Sequence, residues 1–500
     1  MTDSRGRARR SASPASSRCA LEGISEIRGY LRTNHQPIYF ISPTAFNLLG
    51  IDRWVQSFYY VNWLDSFDGM HPRVFVPSER PARDFKSMED VCNALVSHHQ
   101  LKAWSATHPG TPKVCFVMFD ETTETLVEEA GMELILPSCK LRHRIDSKIV
   151  TTRLGNEAGV PSVPNVLGRA GTYEDLQALA GTAGLGDDLV VQTPYGDSGK
   201  TTFFIARPRD WDRNATALRE EALKVMRRIS CAAAAIEAVI TRHGTIVGPV
   251  MLDLTGHQEL TPYRGGWCGN DMFPGALSPP HRDAARMATA KLGDRLAREG
   301  YRGFFEVDYL VDRNTGELYL GELNPRISGV TSITNVTAAA YADLPLFAFH
   351  LVEFMGVEYD LDVAEINERW NSAELLDSWT QVVIKHCDNT VDLIRQAPRT
   401  GIWCIDDRGD VTWSRWGSDW HSIQDESEAF FLRVSGPGDY LYKGADLGVL
   451  ISRGRFQTDD GKLSARARLW IEAIKRCFAS VPLGELPAAG SSASLTVKGG

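Results

Sequence analysis

Five hundred residues, 43% hydrophobic and 23% charged, have the composition of an ordinary soluble chain, long enough for roughly two to four domains with sizeable cores. A net charge of −9 argues against a general nucleic-acid binder, and no uninterrupted apolar run is long enough to span a bilayer, so neither nucleic acid nor membrane is expected as a partner. The nine cysteines are scattered, odd in number and without a C-x-x-C pair, which points to reduced thiols in a cytoplasm and to no structural zinc.

Residues 1–20 carry Arg5, Arg7, Arg9, Arg10 and Arg18 among serines and alanines, with no apolar centre. That is not a secretory signal; it reads as a disordered tail, with an organelle transit peptide as the alternative. Residues 37–41, 58–62, 73–76, 113–119 and 134–136 are short apolar runs of strand type. Residues 88–96 have helical spacing, and Asp120-Glu121-Thr122-Thr123-Glu124 is a helix start. Strands alternating with helices predict a Rossmann-like α/β domain over residues 21–140. No G-x-G-x-x-G follows any of these strands, so a dinucleotide cofactor is not expected.

A helix opens at Arg144-Ile145-Asp146-Ser147-Lys148 and ends near Gly159, followed by Val160-Pro161-Ser162-Val163-Pro164. Residues 189–194 and 203–205 read as two strands around the polar loop Tyr195-Gly196-Asp197-Ser198-Gly199-Lys200-Thr201-Thr202. The loop ends like a P-loop, but Pro194 stands where that motif needs glycine, and a β-type run follows instead of a helix. A lid whose backbone N–H groups hold phosphates fits better; the plain alternative is a hairpin turn. Residues 235–240 and 248–253 read as strands, 261–270 as an irregular loop in contact with substrate or simply ordered, and 281–298 as a helix.

Residues 303–324 then form a hairpin around Asp312-Arg313-Asn314-Thr315-Gly316. With period two, Phe304, Glu306, Asp308 and Leu310 share one face of the first strand, and Leu318, Leu320, Glu322 and Asn324 one face of the second. Carboxylates and an amide set among apolar neighbours need a partner, and such oxygen donors suit Mg²⁺ held between protein and phosphates. A solvated hairpin face is the plain alternative. Arg326, just past Pro325, can hold a phosphate or a developing oxyanion. Residues 338–355 read as a closing helix. Beyond Trp379 come a hairpin over 401–413, strands at 429–434 and 440–442, and an amphipathic helix over 465–478. These make a small mixed α+β domain, residues 356–483, before an unstructured tail, 484–500.

Asp308 followed by Glu322-Leu323-Asn324-Pro325-Arg326 resembles the D…E-x-N-P-R signature of the ATP-grasp superfamily. The resemblance spans residues 37–355 and implies an ATP-grasp domain over 141–355 with its lid near 185–225, preceded by the Rossmann-like domain. It implies ATP and Mg²⁺ as cofactors, with Asp308, Glu322 and Asn324 on the metal and Arg326 catalytic at the acyl phosphate. Lys148, in a segment similar to the family's "D-K … aGvPvP", is implied to contact ATP phosphate. Gly196, Ser198, Gly199 and Lys200 match the glycine-rich lid. Leu223-Lys224-Val225-Met226 resembles the segment whose backbone meets the adenine edge. One position departs: the strand before the lid ends in Gln192 where the family has lysine, so Lys148 and Lys200 are expected to supply the missing charge.

The resemblance implies an ATP-grasp ligase, an ADP-forming carbon–nitrogen ligase that joins a small-molecule carboxylate to an amine through an acyl phosphate. The C-terminal domain is loosely similar to that of biotin carboxylase relatives, which makes a biotin carboxylase-type component the alternative. Against it, Arg326 is followed by Ile327-Ser328-Gly329-Val330-Thr331-Ser332, small and neutral, where that subfamily carries Gln and Glu for bicarbonate. A nucleotide-binding protein without catalysis draws only on Gln192. The C-terminal domain is left with two roles, contact with substrate or packing of a homodimer.

Overall fold

The apolar runs of the first third pair side by side. In the computed structural model, which describes residues 20–79, 83–196, 201–336, 343–372, 377–406, 408–485 and 495–497, they form a five-stranded parallel sheet. Its strands are β1 (Ile38–Ser42), β2 (Phe58–Asn62), β3 (Val74–Phe75), β4 (Lys113–Phe116) and β5 (Glu133–Leu134), in the order β3-β2-β1-β4-β5. Helices α1 (Met88–Val96) and α2 (Glu121–Glu129) cover one face. Each starts where a polar side chain satisfies an orphan helical N–H: the Ser87 hydroxyl accepts from Asp90, and Asp120 forms a capping box with Thr123. Buried on both faces, these parallel strands are continuous apolar runs.

The helix expected from Arg144 is two helices, Cys139–Asp146 and α3 (Lys148–Glu157), broken at Ser147, whose extended backbone re-aims the chain. A small antiparallel sheet follows, β6 (Asn165–Gly168), β7 (Leu189–Gln192), β8 (Thr202–Ile205) and β9 (Leu223–Arg227), ordered β8-β7-β9-β6. It is backed by α4 (Tyr173–Thr182) and α5 (Pro208–Leu218), and its core, with Leu189, Val191, Trp211 and Val225, is separate from that of the large sheet.

The large sheet has ten strands. It runs β14 (Leu318–Asn324), β13 (Gly303–Asp312), β10 (Cys231–Thr241), β11 (Gly244–Thr255), β12 (Trp267–Met272), and continues through β15 (Trp379–Lys385), β19 (Asp446–Arg453), β18 (Glu428–Arg433), β16 (Gly401–Ile405) and β17 (Val411–Arg415). The strands beyond Trp379 therefore extend the central sheet through the β12–β15 ladder, although sequence alone set them in a domain of their own. Residues 267–270, expected as the end of an irregular loop, begin the strand that makes this join. Helix α6 (Pro279–Arg298) covers one face of β10 and β13, and α7 (Leu346–Phe354) the other. Helix α8 (Ala465–Arg476) closes the C-terminal core. Of the tail expected to be unstructured, residues 484–485 end a strand and Leu495–Val497 pairs with Arg83–Phe85. The eight cysteines among the described residues are free.

Candidate active site

The β13–β14 hairpin forms as its alternation predicts, with one irregularity that shapes the site. Asp308 stands directly opposite Glu322, and Glu306 opposite Asn324. The next rung pairs Tyr309 with Leu320, so Gly321 is an extra residue, a β-bulge. A Cβ on Gly321 would come 3.1 Å from the Asp308 carbonyl oxygen, so the close strand approach needs glycine. The bulge corrects the simple alternation. Leu318 and Leu320 pack with Val307 and Tyr309 into the core on the opposite side, while Glu322 and Asn324 stay with Glu306 and Asp308.

A fourth carboxylate, Asp253 on β11, joins this face. It was read only as strand; a single acid closing the apolar run Val250-Met251-Leu252 was the available signal. Asn270 donates to Asp253 at 2.7 Å, and the Trp267 indole N–H donates to Asn270 at 3.0 Å. Burial first, then the charges of Glu306, Asp253 and Glu322, holds the Asp308 carboxyl well above the usual carboxylate range. Burial and Glu306 push Asp253 up to about 7. Carboxylates that resist ionising together form a crowded, desolvated cluster that a bound cation would relieve. Among the described residues no three His, Cys, Asp or Glu side chains converge as a complete metal cage. A facing pair of carboxylates with an amide fits Mg²⁺, which takes one or two carboxylates and completes its shell with water and phosphate oxygens.

Lys148, the first residue of α3, is only 4% exposed and lies 2.6 Å from Glu322 Oε1. Its ammonium also donates to the Gly196 carbonyl at 3.2 Å, tying the hairpin to the chain just after β7. Arg326 donates to Asn324 Oδ1 at 2.8 Å, and its buried Nε has no partner among the described residues. Gly329 in the loop after Arg326 lies against the Trp267 ring, and a Cβ there would come 2.6 Å from it. Beneath that loop, Glu237 is fully buried, accepts from the Thr331 and Thr334 hydroxyls, and is pushed up to about 8 by burial.

On the small sheet Gln192 gives its amide N–H to Thr202 at 3.1 Å. Lys224 and Met226 lie in β9, which has β6 on one side and β7 on the other, so no backbone edge is free at Lys224 for a base. Its side chain instead reaches Ser162 Oγ at 3.2 Å and the Gly321 carbonyl at 3.4 Å. Burial lowers its ammonium to about 8, Glu322 acting against and Lys148 with that shift. Ser198, Gly199 and Lys200 lie outside the described residues.

No protein-family model matches the sequence, and no curated protein does. Solved structures match by fold. The biotin carboxylase domain of Hydrogenobacter thermophilus 2-oxoglutarate carboxylase, solved with MgADP, ADP and bicarbonate, aligns over 90% of this chain and 91% of its own with a TM-score of 0.58 and 13% identity. Campylobacter jejuni biotin carboxylase aligns over 89% and 92% with a TM-score of 0.59 and 13% identity. The N5-carboxyaminoimidazole synthase of Aspergillus clavatus, solved with ADP and 5-aminoimidazole ribonucleotide, aligns over 88% and 100% with a TM-score of 0.54 and 14% identity. At these identities the likeness is one of fold, over about nine-tenths of the chain. Among the described residues no helix is long and apolar enough to cross a membrane.

Proposed function

We propose that this chain, which has the ATP-grasp fold, is an ATP- and Mg²⁺-dependent carboxylate–amine ligase that forms an amide through an acyl phosphate and releases ADP and phosphate. The observation that carries the reading is the pairing of Asp308 with Glu322 on one hairpin rung, with Asn324 and Arg326 following on the same strand exit. Asp308, Glu322 and Asn324 would hold Mg²⁺, which supplies charge neutralisation for the triphosphate. Arg326 meets the negative charge that develops when the substrate carboxylate takes the phosphoryl group, its guanidinium held at the strand exit by Asn324. Lys148 holds Glu322 in place and bridges to the chain just after β7 through Gly196. The amine then attacks the acyl carbon and phosphate leaves.

A second reading, a biotin carboxylase-type component, is favoured by the fold match to two biotin carboxylases over about nine-tenths of the chain. The loop after Arg326 favours the first: Ser328, Thr331 and Ser332 are neutral, and their hydroxyls belong to internal hydrogen bonds. The test is a screen of acid and amine pairs read by phosphate release, with a parallel arm of bicarbonate and free biotin. Phosphate release needing both an acid and an amine supports the ligase; release with bicarbonate and biotin alone supports the carboxylase.

A further inference from the structure

Gln192, the last residue of β7, is uncharged where the resemblance leads one to expect lysine. The β7–β9 ladder shows what stands beside it. Gln192 and Lys224 are directly opposite on one antiparallel rung. Directly paired side chains leave the sheet on the same face, with Cβ atoms about 5 Å apart. Lys224 is 1% exposed, yet among the described residues it makes no ion pair; its partners are a hydroxyl and a carbonyl. Its hydrogen bonds go to neutral dipoles, and the carboxylate whose charge reaches it, Glu322, is already paired with Lys148, so a further anion would relieve the buried ammonium. Gln192 Oε1 is also buried without a partner among the described residues. The two side chains of the rung therefore do not satisfy each other. The Lys224 ammonium donates to the carbonyl of Gly321, the residue before Glu322, so it bridges the small sheet and the hairpin.

We propose that Lys224 supplies, from the neighbouring strand, the phosphate-binding charge that Gln192 lacks, so that Gln192 and Lys224 act as one subsite for a nucleotide phosphate. This rests on the ATP-dependent reading above and deepens it. Because paired positions share a face, the ammonium leaves the sheet on the same side as the Gln192 side chain. In this account Lys224 acts through its side chain, and Lys200 is not required to replace the missing charge.

The experiment is equilibrium binding of Mg·ADP and of adenosine to the full chain, with thermal midpoints measured without nucleotide. Lys224→Gln should weaken ADP about tenfold or more, the scale of one charge-assisted hydrogen bond, and leave adenosine within about twofold. The exchange pair, Gln192→Lys with Lys224→Gln, should bring ADP back to within a few fold of wild type. Gln192→Glu keeps the ammonium and sets a carboxylate against it. This variant should hold or raise the midpoint while weakening ADP, and so tests the idea even where Lys224→Gln folds poorly. ADP binding unchanged in Lys224→Gln or Gln192→Glu, equal losses for ADP and adenosine, or no recovery in the exchange pair would overturn the subsite and make Lys224 a strut between the sheets. A wild-type chain that binds no Mg·ADP would overturn the ATP-dependent reading as well, which separates the two failures.

Discussion

Asp308→Asn should separate stability from function. Asp308 faces Glu322 across one rung and has Glu306 and Asp253 beside it, and burial together with those three charges opposes its ionisation. Two full charges about 5 Å apart at an effective dielectric of about 20 repel by roughly 3 kcal/mol. Lys148 neutralises much of Glu322 through the 2.6 Å contact, so only part of that repulsion remains. Replacing the carboxylate with an isosteric amide should therefore stabilise the nucleotide-free protein, by on the order of 1 kcal/mol. The same change removes a metal ligand where phosphoryl charge is neutralised, which should cost about a hundredfold or more in turnover. The assay pairs urea denaturation midpoints without nucleotide against ATP turnover over a magnesium titration. A variant that is less stable than wild type, or that turns over ATP normally, would refute the electrostatic reasoning.

Arg326→Met should abolish turnover with little change in Mg·ADP affinity, because the guanidinium is assigned to charge that develops during transfer; a large loss of ADP affinity would place it on the resting nucleotide. Gly321→Val should push β13 and β14 apart at the bulge, destabilising by about 1–3 kcal/mol and lowering the apparent affinity for magnesium, checked by denaturation and magnesium titration. Glu237→Gln addresses pH. Burial raises the folded-state pKa from 4.5 to about 8, so the stability this group contributes is fully present below about 4.5 and is lost as pH rises towards 8. Unfolding free energy should therefore fall across that window in wild type by on the order of 4 kcal/mol more than in the glutamine variant. Parallel pH profiles in the two proteins would contradict the assignment.

The hairpin was legible because its alternation and turn are local, and Asp308, Glu322, Asn324 and Arg326 meet on the pattern that predicted them. The bulge was not legible. Gly321 carries no sign of being unpaired, and simple alternation put Leu318 and Leu320 on the wrong face. Register between strands distant in sequence was equally hidden. Lys224 lies 32 residues from Gln192, and only the ladder shows that they share a rung. Trp267 to Asn270, the first part of strand β12, looked like irregular loop because Gly266 and Gly269 weaken a strand signal, and the strand's partners on both sides come from elsewhere in the chain. That same strand joins the C-terminal strands to the central sheet, so the continuity of ten strands had no local mark at all.

The central claim is that a carboxylate takes a phosphoryl group from ATP at this hairpin. It is tested most directly by following oxygen. An acid identified by the phosphate-release screen is supplied with ¹⁸O in its carboxylate, together with its amine and Mg·ATP. An acyl phosphate predicts that one labelled oxygen leaves in the inorganic phosphate, with ADP as the other nucleotide product. Unlabelled phosphate, or label found in AMP with release of pyrophosphate, would contradict it.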